Sequence, residues 1–169
     1  MQSTFKTILD RSETVLSALC VAGFGVMFIL GVATVVFRFL LESSLAFPDE
    51  VIRYLFVWMI ALGSAVALRR GAHASIGVFV QMLPGGARRA ALLLAALSSM
   101  AFFAVLVVYG VELTVRVAAQ ISPALEISMS WVYAAVPIGG AFLLVYMSEI
   151  LITLLTAPDA ALLSGEGEA

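Results

Sequence analysis

The chain has 169 residues, of which 63% are hydrophobic and only 12% charged, with a formal net charge of −2. Soluble domains run near 25% charged, so composition alone sets aside a water-soluble fold, and the absence of any basic run sets aside nucleic-acid binding. One cysteine, Cys20, sits inside an apolar run, which excludes a disulfide framework and a zinc site within one chain and leaves it as packing.

Four apolar runs reach the length of about 20 residues that a bilayer crossing requires. The sequence therefore predicts an all-α membrane protein of a single integral domain, with four transmembrane helices and a short interfacial segment between the second and third.

Residues 1–14 are polar and mixed in charge (Lys6, Asp10, Arg11, Glu13) and suit an amphipathic turn on the membrane surface. The first span is expected over 15–41. It is too long for a signal-peptide core and is followed by no small-residue cleavage site. Arg38 and Glu42, four apart at its far end, can pair on one helix face.

The second span is expected over 48–68, and its polar groups are the most distinctive in the chain. Pro48 suits a first helical position, where its missing N–H costs nothing. Asp49 and Glu50 then fall in the first turn, where the helix dipole favours negative charge. Arg53 lies four residues after Asp49 and three after Glu50, so it can pair with either. Ala61/Ala65 and Gly63/Ala67 are small-residue pairs that let a neighbouring helix approach. Trp58 reads as a packing residue facing lipid or a partner. Arg69 and Arg70 close the span, and 71–81, with the only histidine, His73, fits a short segment lying at the interface.

Pro84-Gly85-Gly86 makes a turn, and Arg88 and Arg89 open a third span over 88–120. At 1.5 Å per residue it reaches roughly 50 Å, so it must tilt or protrude. Glu112, Arg116 and Gln120 follow at four-residue steps and would form one polar stripe on the protruding end. Ser122-Pro123 breaks the helix. The fourth span, 129–156, opens with Trp131 and Tyr133 as an aromatic belt would. Pro137 should kink it by removing the bond to the Tyr133 carbonyl. Residues 157–169 form a small acidic tail.

Lysine and arginine bias sets orientation. Lys6, Arg11, Arg69, Arg70, Arg88 and Arg89 lie on one side and Arg38, Arg53 and Arg116 on the other. Six against three places both termini in the cytoplasm. Each of the latter three has an acid three or four residues away. They read either as self-compensating anchors at a membrane surface or as a polar rim that contacts another protein.

Catalytic and transport chemistry are missing from this pattern. Substrate paths and proton relays need ionisable groups near the bilayer centre, and the middles of all four runs have none. A bis-histidine haem anchor needs a second histidine, here only from a partner. Ser64, Ser98 and Ser99 have no base beside them for hydrolysis. The residues suggest no enzyme and no cofactor. They make the chain a poor candidate to carry a substrate alone, and leave open a membrane anchor subunit of a respiratory or other enzyme complex and a lone four-helix exporter.

Pro48-Asp49-Glu50, then Arg53-Tyr54-Leu55-Phe56-Val57-Trp58, then Gly63 and Arg69 to His73, resembles the small permease subunit of tripartite ATP-independent periplasmic (TRAP) transporters. Gln120-Ile121-Ser122-Pro123-Ala124-Leu125, Ile127-Ser128-Met129, Trp131-Val132-Tyr133 and Val136-Pro137-Ile138-Gly139 extend the resemblance over about residues 15–155. The departures are Asp49, where glutamate is frequent, and Ile76-Gly77-Val78, where a valine-aspartate pair is expected.

The resemblance implies a bacterial inner-membrane subunit that braces a large multi-span permease subunit. That partner would move an organic acid with sodium after a periplasmic solute-binding protein delivers it. Asp49, Glu50 and Arg53 are then the first candidates for contact with the large subunit, a headgroup or the periplasmic protein. Glu112, Arg116 and Gln120 are second candidates for an outer docking face. Arg69, Arg70, Arg88 and Arg89 are expected to set topology and touch anionic membrane lipid, with His73 near the first two, and Trp58 to pack on the partner or a lipid.

Overall fold

The computed structural model describes residues 2–40, 47–71 and 84–156. Five helices account for nearly all of them: α1 (Gln2–Leu40), α2 (Phe47–Arg69), α3 (Gly85–Arg116), α4 (Ser130–Tyr133) and α5 (Ala135–Thr156). Among the described residues four stretches are long and apolar enough to cross a membrane, the last of them combining α4 and α5. Glu42, His73, the interfacial segment and the acidic tail lie outside the described residues.

The first helix begins well before the expected boundary. Residues 2–14 continue the span as one 39-residue helix instead of forming a separate surface turn. Leu9 and Leu16 supply the reason, being only 3% and 4% exposed in the same core as Leu62, Ala65, Leu143 and Tyr146. Burying these leucines keeps the polar segment on the axis of the span.

The third helix stops at Arg116, four residues earlier than expected. The Val117 N–H still bonds back to the Leu113 carbonyl, but the Ala118 and Gln120 N–H groups reach only three residues back, to Val115 and Val117. This tightening turns the chain, and Ile121 then pairs with Ser128 in an isolated antiparallel bridge. Gln120 consequently leaves the Glu112–Arg116 stripe.

The fourth span breaks as Pro137 requires. Helix α4 ends at Tyr133, the residue whose carbonyl Pro137 cannot reach with a hydrogen bond, and α5 starts at Ala135.

The long helices stand in the order α1, α2, α5, α3: α2 packs on α1 and on α5, and α5 packs on α3. Small residues set the α2–α5 spacing. A Cβ added at Gly139 would lie 2.8 Å from the Ala61 Cβ and 3.0 Å from its carbonyl oxygen. The Ala61/Ala65 pair thus takes the role expected of it, with Ala65 fully buried. Gly71, at a φ of +64°, ends α2 in the left-handed conformation that glycine adopts without a steric penalty. Large apolar side chains face outward instead, Phe28 and Phe39 on α1 and Leu94 and Val108 on α3 among them, as helices surrounded by lipid require.

Candidate functional site

The polar side chains gather at the two ends of α2. At its amino-terminal end, Pro48 and Glu50 turn inward and Phe47 and Asp49 outward. Glu50 is 8% exposed. One carboxylate oxygen accepts the Tyr54 hydroxyl, and the other accepts the backbone N–H groups of Ala124 at 3.0 Å and Leu125 at 2.9 Å. Pro123 has no N–H of its own, so these two donors are the next available in the turn.

The turn that Glu50 holds is closed from within. The Ser122 N–H donates to the Ile127 carbonyl at 2.9 Å, and Glu126, at a φ of 54°, donates its N–H to the Ser122 carbonyl at 3.2 Å. Ser128 donates its hydroxyl to the Ala118 carbonyl at 2.8 Å, and Ser130 donates to the Thr114 carbonyl at 2.8 Å. The Tyr54 hydroxyl also lies 3.5 Å from the Met129 sulfur. Two segments that are far apart in the chain, Pro48–Tyr54 and 120–130, thereby form one hydrogen-bonded unit.

Arg53 differs from its expected pairing. It is exposed and makes no ion pair among the described residues, while Glu50 points into the 122–125 turn. Trp58 donates its indole N–H to the Trp131 carbonyl at 3.1 Å, which ties α2 to the start of the last span. Glu112 and Arg116 form the expected i,i+4 pair at 2.6 Å, both well exposed.

At the carboxyl-terminal end of α2, Arg69 is the centre of a network. Its guanidinium meets Asp10 at 2.6 Å, Glu13 at 2.8 Å and Glu149 at 3.0 Å and lies 5.4 Å from the centre of the Tyr146 ring. Arg70 pairs with Glu13 at 2.7 Å and reaches the Ser17 hydroxyl at 3.3 Å. Ser12 and Tyr146 share a hydrogen bond of 2.9 Å. With a side chain only 11% exposed, Arg69 is committed to the fold of its own chain, whereas Arg70 remains half-exposed. Arg89 reaches the Leu155 carbonyl at 3.3 Å.

The acids of this network were absent from the candidates read off the sequence, although a signal for them exists. Asp10, Glu13 and Ser17 recur on one α1 face. The alternation of four spans also brings the amino terminus, the Arg69–Arg70 corner and the end of the last span to one end of the bundle. Among the described residues no cluster of histidine, cysteine and acids could hold a metal.

Comparison with known proteins agrees with this architecture. The family described as tripartite ATP-independent periplasmic transporters, DctQ component, matches residues 27–157. The sialic acid TRAP transporter small permease protein of Vibrio cholerae is 30% identical over 70% of this chain and 68% of its own length. The ectoine TRAP transporter small permease protein of Halomonas elongata is 31% identical over 80% of this chain and 70% of its own. The C4-dicarboxylate small permease protein of Rhodobacter capsulatus is 31% identical over 59% of this chain, but the match spans only 45% of that relative. The helices built around Glu50 and Arg69 thus belong to a multi-pass inner-membrane subunit, and the chain is a member of the DctQ component family of TRAP transporters.

Proposed function

We propose that this small TRAP subunit scaffolds a large sodium-coupled permease subunit for uptake of an organic acid of the carboxylate type, delivered by a periplasmic solute-binding protein. The observation that carries this reading is where the charges lie. Among the described residues every charged side chain falls near a span end, and those of Arg69 and Glu50 are absorbed in contacts within the chain. The middles of the spans offer a solute no polar path, so translocation belongs to the partner and bracing to this chain.

In this reading both termini face the cytoplasm, following the arginine and lysine bias, and residues 71–81 lie along the cytoplasmic interface. Asp49 and Arg53, exposed beside the Glu50-braced turn, form the docking face on the periplasmic side, with Glu112 and Arg116 as a second polar edge. Glu50 itself acts as an internal brace.

The test is gentle extraction of the tagged protein from its native membrane, followed by mass spectrometry, an absorbance spectrum and reconstituted uptake. A colourless assembly with one large polytopic protein in about one-to-one ratio is expected, with uptake that needs both chains, a periplasmic protein and a sodium gradient. A haem spectrum, or recovery with a soluble redox enzyme, would overturn the reading.

A further inference from the structure

The lower halves of α1 and α2 leave a groove of about 510 Å³ between them. Its walls are Cys20, Val21 and Phe24 from α1 and Gly63, Val66 and Ala67 from α2, and one end carries Ser17 and Arg70. The groove stays open because α2 offers little bulk there: the nearest atom to a Cβ placed at Gly63 is the Cys20 sulfur, 3.9 Å away. Val21 and Phe24 are 72% and 56% exposed, so the apolar walls face whatever surrounds the protein.

The shape selects a chain of methylenes over a helix. Two helices in contact lie about 8–10 Å apart, and a helix with its side chains is about 10–12 Å across. A third helix can ride over this groove but cannot sink into it. From Ser17 to Phe24 the groove runs about 10 Å along α1, from the charged end of the span toward its apolar middle. An acyl chain below a headgroup has the same polarity.

The charges at the open end select the headgroup. The hydrogen-bonded cluster there holds three carboxylates, Asp10, Glu13 and Glu149, against two guanidiniums, Arg69 and Arg70. The cluster exposes one group of each sign, since Arg70 is 54% exposed and Asp10, one helical turn beyond Glu13, is 68% exposed, and this matches a headgroup that carries both signs. We propose that the α1–α2 groove binds one acyl chain of an aminophospholipid whose phosphate rests on Arg70 and whose ammonium rests on Asp10.

Cys20, the single cysteine, lines the groove and reports on its occupancy. The full chain, purified with whatever subunits accompany it, is placed in nanodiscs of phosphatidylcholine containing either phosphatidylethanolamine or phosphatidylglycerol. Native mass spectrometry should retain one phosphatidylethanolamine per chain. Maleimide labelling of Cys20 should be about tenfold slower with that lipid, the factor that a single charge-assisted contact supplies. Asp10→Asn should abolish the preference, and Ala67→Phe, which fills the groove, should abolish retention. If Ala67→Phe does not fold, the labelling rates decide alone. Equal rates in both discs, or no retained lipid, would overturn the proposal. So would a Cys20 protected in every lipid by cross-linking distance to a large accompanying subunit, which assigns the groove to protein.

Discussion

The Glu50 carboxylate accepts the Leu125 backbone N–H at 2.9 Å across 75 positions of chain. This contact joins the first turn of the second span to the connection that launches the last one. Glu50→Ala should therefore leave two backbone donors and the Tyr54 hydroxyl without an acceptor and cost most of the folded yield. Glu50→Gln should be milder, because one amide oxygen can still take both N–H groups. Limited proteolysis within residues 121–127, compared across the two variants, checks the order; equal cleavage in both would contradict it.

Arg69 serves three carboxylates at once, a task for a planar fork of donors. Arg69→Gln should lose about 2–3 kcal/mol, at or below the lower end for breaking a buried pair because Asp10 is largely exposed. Arg69→Lys should recover little of it. Denaturant titration of the solubilised protein reads both values, and full rescue by lysine would show that charge alone matters there.

Arg53 predicts the opposite pattern. With no ion pair to lose among the described residues, Arg53→Ala should leave thermal stability unchanged and reduce assembly with the large subunit and solute uptake. Normal complex yield and normal uptake would sink its assignment to the docking face.

Gly139 meets Ala61 at the α2–α5 contact. Gly139→Val should overpack it at a cost of about 1–3 kcal/mol, and Ala61→Gly in the same chain should return part of that loss. Additive losses in the double variant, measured by the same titration, would place the conflict elsewhere.

The Glu112–Arg116 pair is short but exposed on both sides. Glu112→Gln should change stability by no more than about 0.5 kcal/mol, and any larger effect should appear only in the assembled complex.

Much of this could be read from the sequence because membrane helices declare themselves by long apolar runs, and because Pro48, Ser122-Pro123 and Pro137 mark helix starts and breaks by their own backbone chemistry. The i,i+4 pair of Glu112 and Arg116 is likewise local. The fate of the other charges was not legible in the same way. Whether Glu50 pairs with Arg53 three residues on, or with backbone in a turn 74 and 75 positions away, depends on where that turn comes to rest. Arg69 is the same case: its acids come from two other helices, and helical spacing along α2 carries no trace of them. Helix length failed at both ends of the scale for related reasons. Buried Leu9 extended α1 beyond its apolar run, and the 117–130 connection ended α3 before its pattern faded.

A row of four helices also differs from a closed ring of four in its perimeter. In a ring, every helix turns a flank toward a common axis. Here α1 packs mainly on α2, meeting α5 through contacts such as the Ser12–Tyr146 bond, and α3 packs mainly on α5, so much of their circumference is left to the surroundings. Such a slab has two broad faces and two edges, so a small chain can lie along a considerable arc of a much larger membrane body. In the proposed assembly it would add width to that body's apolar belt and so resist its tilting within the bilayer.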